Sequence, residues 1–94
     1  MDTPSYHTDQ FCIVIMAPRI FSSKMDLKVD FGSDANSANP LLQNETEAVK
    51  EMSSVVDALN YMAKKGWQMV NAYSLTSSTT AINEQHYLMK KASR

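Results

Sequence analysis

A glycine followed directly by the chain's one tryptophan, Gly66-Trp67, constrains this sequence more than any other feature. Gly66 comes straight after Lys64-Lys65, at the end of a long apolar-periodic stretch. A helix commonly stops on a residue with positive φ, a conformation that glycine adopts without steric cost. Trp67 then opens a run that alternates as a strand does. The pair predicts a helix-to-strand joint and hence a mixed fold, and it names no reaction.

The stretch before the joint predicts one long helix. Asn44 is placed to cap it, with Glu47 at the capping-box spacing. A rival start uses Asn39 as cap and Pro40 at the first helical position. Ala48, Val49, Met52, Val55, Val56, Leu59, Met62 and Ala63 recur at steps of three and four, which gathers them on one stripe. Lys50, Glu51, Ser54, Asp57 and Lys64 fall largely off it. About 20 residues at 1.5 Å each make a helix roughly 30 Å long. Lys64 and Lys65 sit at its negative end, which favours cations. Past the glycine, Trp67 can fold back on Met62.

Four strands are expected around this helix. Residues 11–17, Phe-Cys-Ile-Val-Ile-Met-Ala, are apolar on both alternating faces, as in a strand covered on both sides. Pro18 ends that run, since proline cannot donate to a ladder. Residues 24–31 alternate, with Met25, Leu27, Val29 and Phe31 on one face and Lys24, Asp26, Lys28 and Asp30 on the other. They are expected to form a hairpin with the first strand through residues 18–23. In the third strand, 67–75, Trp67, Met69, Tyr73 and Leu75 share a face interrupted by Asn71, with Val70 and Ala72 opposite. After a hydroxyl-rich turn over 76–83, the fourth strand spans 84–91, with Tyr87 and Met89 on one side and His86 and Leu88 on the other.

The fold class expected is therefore α+β, a four-stranded, mainly antiparallel sheet with one long helix on one face, in the order β-β-α-β-β. The 94 residues make a single domain. Residues 1–9 are expected as a flexible N-terminal arm, 32–43 as a mobile loop and 92–94 as a frayed tail.

One helix cannot cover two faces of a sheet. The first strand is apolar on both sides, so a monomer would expose a contiguous apolar patch, which soluble monomers rarely do. A symmetric homodimer is the expected solution. The alternative is that the N-terminal arm or the long loop folds over the face. Ile13, Val14, Ile15 and Val70 are the candidate interface residues, and Gly66 and Trp67 form the structural joint.

Charge argues against one class of partner. Nine basic and ten acidic residues nearly cancel, so no general basic excess exists to hold a phosphate backbone. Nucleic-acid binding would require Lys64, Lys65, Lys90, Lys91 and Arg94 to cluster on one surface. No apolar run is long enough to span a membrane. The polar start lacks the signature of a secretory signal, and Cys12, the single cysteine, permits no intrachain disulfide. A cytoplasmic location is expected. The seven methionines read as adaptable core fillers.

Catalytic constellations are weak. Cys12 with His7 or His86 is the one cysteine–histidine pairing, but a thiol inside an apolar strand is ordinarily inert. Ser74, Ser77, Ser78, Thr79 and Thr80 lie near His86 in sequence, without a nucleophile elbow. Asp26 and Asp30 are four strand residues apart, about 13 Å, with Lys28 between them, and read as a solvated charge ladder. No metal-ligand spacing and no phosphate loop is present, so no cofactor is expected. The second functional reading is a small-molecule binder or enzyme with a pocket near Trp67, Tyr73, Tyr87 and His86.

The segment Leu59-Asn60-Tyr61-Met62-Ala63-Lys64-Lys65-Gly66-Trp67-Gln68-Met69-Val70 resembles the hallmark of a family of small bacterial proteins, domain of unknown function 4177. Leu59, Asn60, Gly66, Trp67 and Val70 match its pattern. Ala63 stands where glycine is often found, and Gln68 where glutamate is common. Tyr87 to Lys91 resembles the aromatic closing strand with its basic end. The resemblance spans residues 55–91, and the first strand more loosely. It implies a compact α+β domain and carries over no catalytic residue.

Overall fold

The computed structural model describes residues 8–18, 25–32, 40–76 and 83–93. Strands β1 (Thr8–Pro18) and β2 (Met25–Asp30) are followed by helices α1 (Pro40–Lys50) and α2 (Val55–Lys64). Strands β3 (Gln68–Thr76) and β4 (Asn83–Ser93) complete the fold. The sheet order is β2-β1-β4-β3, and each neighbouring pair is antiparallel. β1 and β4 are central, paired from Thr8↔Ser93 to Met16↔Gln85.

The α+β class and the four-stranded antiparallel sheet are as expected; the single long helix is not. It is broken at residues 51–54 into α1 and α2, so the order is β-β-α-α-β-β. The amides of Glu51 and Met52 donate to the carbonyls of Ala48 and Val49 at 3.3 and 3.0 Å, a tightened turn that closes α1. Ser54 then adopts an extended backbone (φ −135°, ψ 135°), and its hydroxyl accepts from the amides of Val56 and Asp57. Serine is well suited to this capping role, because its oxygen replaces a missing intrahelical acceptor. The apolar stripe runs unbroken past the break, so periodicity alone did not register it. The start is also corrected. Pro40 is the first residue of α1, which leaves Asn44 within the helix and not at its cap.

Strand ends differ for a shared reason. Asp9 pairs with Ala92 and Thr8 with Ser93, so the ends of the expected arm and tail zip together as strand. Residues 40–43 of the expected loop belong to α1. The remaining parts of the arm, loop and tail, and both expected hairpin turns, fall wholly or largely outside the described residues.

The core lies between the helices and one sheet face. Cys12 and Val14 of β1, Leu27 and Val29 of β2, Phe31, and Met89 of β4 meet Val49 of α1 and Ala58 and Met62 of α2, with Trp67 beside them. Val14, Val49 and Met62 are fully buried. Complete burial of such a side chain contributes about 1.5–3 kcal/mol. α1 packs on β2 and α2 against β1. β3 lies away from this packing, and of its residues only Tyr73 is partly buried, the others being exposed.

The joint has the geometry expected of it. Gly66 has φ 100°, its amide donates to Ala63, and the amide of Trp67 reaches back to the carbonyl of Met62 at 3.1 Å. Those two bonds form the Schellman arrangement that ends a helix on a left-handed glycine. A Cβ at Gly66 would stand 3.2 Å from Cδ of Lys91.

Candidate functional site

The sheet face opposite the helices is the surface with most to explain. Register assigns it. Ile13 lies opposite Asp30 and Leu88, and Ile15 opposite Lys28 and His86, while Val14 lies opposite Val29 and Tyr87 on the helix face. The open face thus carries Phe11, Ile13, Ile15 and Ala17 of β1, Asp26, Lys28 and Asp30 of β2, and Glu84, His86, Leu88 and Lys90 of β4. β3 adds Gln68, Asn71, Tyr73 and Leu75.

A bulge in β3 changes which of its residues reach each face. Met69 pairs with Met89 on the helix face, and the next paired residue, Asn71, faces Leu88 on the open face. Val70 is the extra residue, and one extra residue reverses the alternation beyond it. The expected single face of Trp67, Met69, Tyr73 and Leu75 is therefore corrected. Trp67 and Met69 lie on the helix side, and Tyr73 and Leu75 lie on the other. The misplaced Asn71 in that pattern was the signal of the bulge.

The candidate interface residues separate accordingly. Ile13 and Ile15 belong to the face opposite the helices, where Ile13 is partly buried and Ile15 is buried, 8% exposed. Val14 does not, because it is sealed in the core with no exposed surface. Val70 is half exposed at the bulge. Gly66 and Trp67 hold the joint. Lys91, which sequence reasoning did not single out there, covers it. Its ammonium lies 5.0 Å from the Trp67 ring centre and donates to the carbonyl of Lys65 at 3.4 Å. A cation at that end completes the helix terminus electrostatically.

The residues proposed to line a small-molecule pocket do not converge. Trp67 and Tyr87 pack on the helix side, whereas His86 and Tyr73 lie on the open face, with ring centres 5.4 Å apart. The backbone of the sheet separates the two pairs. His86 holds Glu84 through Nε2 at 2.9 Å, and its Nδ1 is buried with no partner among the described residues. A shallow cavity of about 370 Å³ opens beside Ile15 and Ala17, rimmed by Asp26, Lys28, Lys50 and Glu84. Another, of about 200 Å³, opens beside Phe11, Ile13 and Leu88.

Among the described residues the nucleophile pairings are likewise divided; His7, Ser77, Ser78, Thr79 and Thr80 lie outside them. Cys12 is buried on the helix side and His86 lies on the other. Burial, and then the nearby Glu45 carboxylate, push the Cys12 thiol up to about 12, with Lys91 pulling the other way and Asp30 adding to the rise. A thiol held protonated is a poor nucleophile. Ser74 accepts from Gln85 Nε2 at 2.7 Å on the helix side, away from His86. The described basic residues do not share one surface, and Arg94 lies outside the described residues. Lys91 covers Trp67, Lys65 lies over Tyr61 at 5.3 Å, and Lys90 projects from the opposite sheet face. Among the described residues, no cluster of three histidine, cysteine or carboxylate groups is arranged to hold a metal, and no helix is long and apolar enough to cross a membrane.

No family model, no curated protein and no solved structure matches the chain. The resemblance noted for residues 55–91 rests on those residues alone.

Proposed function

We propose that this domain works by self-association, as a non-catalytic module whose open sheet face is covered by a second copy and which acts through protein–protein contact. One observation carries the reading. Both helices lie on the same side of the sheet, while Phe11 (52% exposed), Ile13, Leu88 and Leu75 (49% exposed) line the other. An apolar surface of this kind is the usual mark of an interaction site.

Size and charge support a second copy as the cover. Four strands spaced ~4.8 Å apart, roughly 30 Å long, make a footprint of the order needed for the ~800 Å² per partner of a standard interface. Along β4 the open face carries Glu84 near one end and Lys90 near the other. A two-fold axis crossing the strands near His86 and Leu88 would lay each Glu84 end over the Lys90 end of its mate. Such isologous self-complementarity is the rule in symmetric dimers.

Light scattering at about 100 μM on the intact protein and on Ile13→Lys tests this. The expected result is a dimer or larger for the parent and a loss of mass for the variant, with unchanged circular dichroism. A parent that stays monomeric, or a folded Ile13→Lys variant of undiminished mass, refutes it.

A further inference from the structure

The two edges of the sheet are built differently. β2, one edge, is six residues long, carries Asp26, Lys28 and Asp30, and has α1 packed on it. Charges and a covering element are two ordinary ways of keeping an edge from pairing with another chain. β3, the other edge, has none of these guards. Gln68–Thr76 spans nine residues without a charge, a proline or a glycine, and almost all of it is exposed. Its one irregularity, the bulge at Val70, leaves the segment 71–76 regular. β4 lies against one side of that segment. Among the described residues no strand lies on the other side, which presents the N–H and C=O groups of an edge strand, the Ala72 amide being held by Asn71 Oδ1 at 2.9 Å.

We infer that the β3 edge pairs antiparallel with β3 of a second copy, joining two four-stranded sheets into one of eight strands. This goes beyond the open-face contact and does not depend on it. The occupant follows from the strand's own chemistry. A strand with no charges has nothing with which to select an oppositely charged partner, and in self-pairing it sets no like charges against each other. Its exposed side chains match across a two-fold axis. Residues directly opposed in an antiparallel pair share a face, so the axis must pass through a residue. The middle of the regular segment leaves Tyr73 or Ser74. With the axis at Tyr73, Ala72 meets Ser74 of the partner subunit and Asn71 meets Leu75 of the partner subunit. With the axis at Ser74, Tyr73 meets Leu75 of the partner subunit and Ala72 meets Thr76 of the partner subunit. Either choice keeps both helix layers on one side and both open faces on the other. The edge contact thus doubles the apolar face and leaves it accessible.

Cysteine cross-linking reads this directly. Opposed residues in such a pair lie about 4.5–5.5 Å apart at Cα, within disulfide reach. Tyr73→Cys and Ser74→Cys are made separately in the full chain, where the native Cys12 is buried and stays silent. Under mild oxidation, one of the two is expected to form a covalent dimer in high yield, and to do so in an Ile13→Lys background as well. That background separates the edge from the open face. The double variant Ala72→Lys/Ser74→Lys, altered on the helix side of the edge, is expected to lose the contact in either register. With an unchanged circular dichroism spectrum, its assembly mass should fall by half at concentrations where the parent is paired. Failure of both cysteine variants to cross-link while folded overturns the proposal. So does a lysine double variant of undiminished mass. Loss of cross-linking in the Ile13→Lys background alone also overturns it as an independent contact.

Discussion

At the scale of single residues, Cys12 shows how far environment displaces chemistry. Burial withholds solvent from its thiolate, and the Glu45 carboxylate nearby adds repulsion, so the thiol rises from 9.0 to about 12. The unfolded chain releases this proton near pH 9, whereas the folded chain keeps it. Between those values the unfolded state binds fewer protons, so stability must fall as pH rises. It is fully present below pH 9 and is lost toward pH 12. We expect urea titrations to show Cys12→Ala flattening this alkaline decline, by up to about 1.4 kcal/mol per pH unit in that window. A thiol-specific chromogenic reagent at pH 8 should leave the folded protein unmodified and react at once after denaturation.

Among the elements, the break between α1 and α2 is the most informative. The stripe through Val49, Met52, Val55, Leu59 and Met62 was legible because the helices rest on one sheet face, and burial imposes the 3.6-residue period on both. The break was not legible because its signal is a single hydroxyl. Ser54 caps α2 by accepting two amides, and polar residues on a helix's wet face do not disturb the stripe. Ser54→Ala is expected to cost about 1 kcal/mol, read as a lower denaturation midpoint with the denaturant slope unchanged. β3 teaches the same lesson in another form. Its type and length could be read from alternation, and the stray Asn71 marked an irregularity. Which residues changed face depended on the position of the extra residue, and pairing with β4 decides that. The sequence also placed Gly66 and Trp67 correctly, because a left-handed glycine is a local requirement. Lys91 over Trp67 was invisible to it, because that contact joins parts of the chain far apart in sequence. The candidate site was half legible for a similar reason. Sequence reasoning grouped Ile13, Val14, Ile15 and Val70 as one interface, and only the strand register and the position of the helices set Val14 apart in the core.

For the molecule as a whole, the one-sided helix layer is the governing fact. Among the described residues, placing both helices over β2 and β1 gives one dry face, one face without a helix and one edge, β3, without a neighbouring strand. If copies cover the open face, association and folding draw on the same apolar surface, and the melting temperature must depend on protein concentration. We expect the midpoint measured by calorimetry to climb by several degrees between about 5 and 500 μM. In Ile13→Lys it should stay flat or climb less.

The pairing of β1 with β4 has a kinetic side. These central strands come from opposite ends of the described chain, and each is the other's long-range neighbour. A nascent polypeptide therefore exposes β1, with its greasy flanks, until β4 has left the ribosome. Contacts so distant along the chain slow the search for the native arrangement, and during that interval the first strand is the segment most in need of a chaperone's shelter.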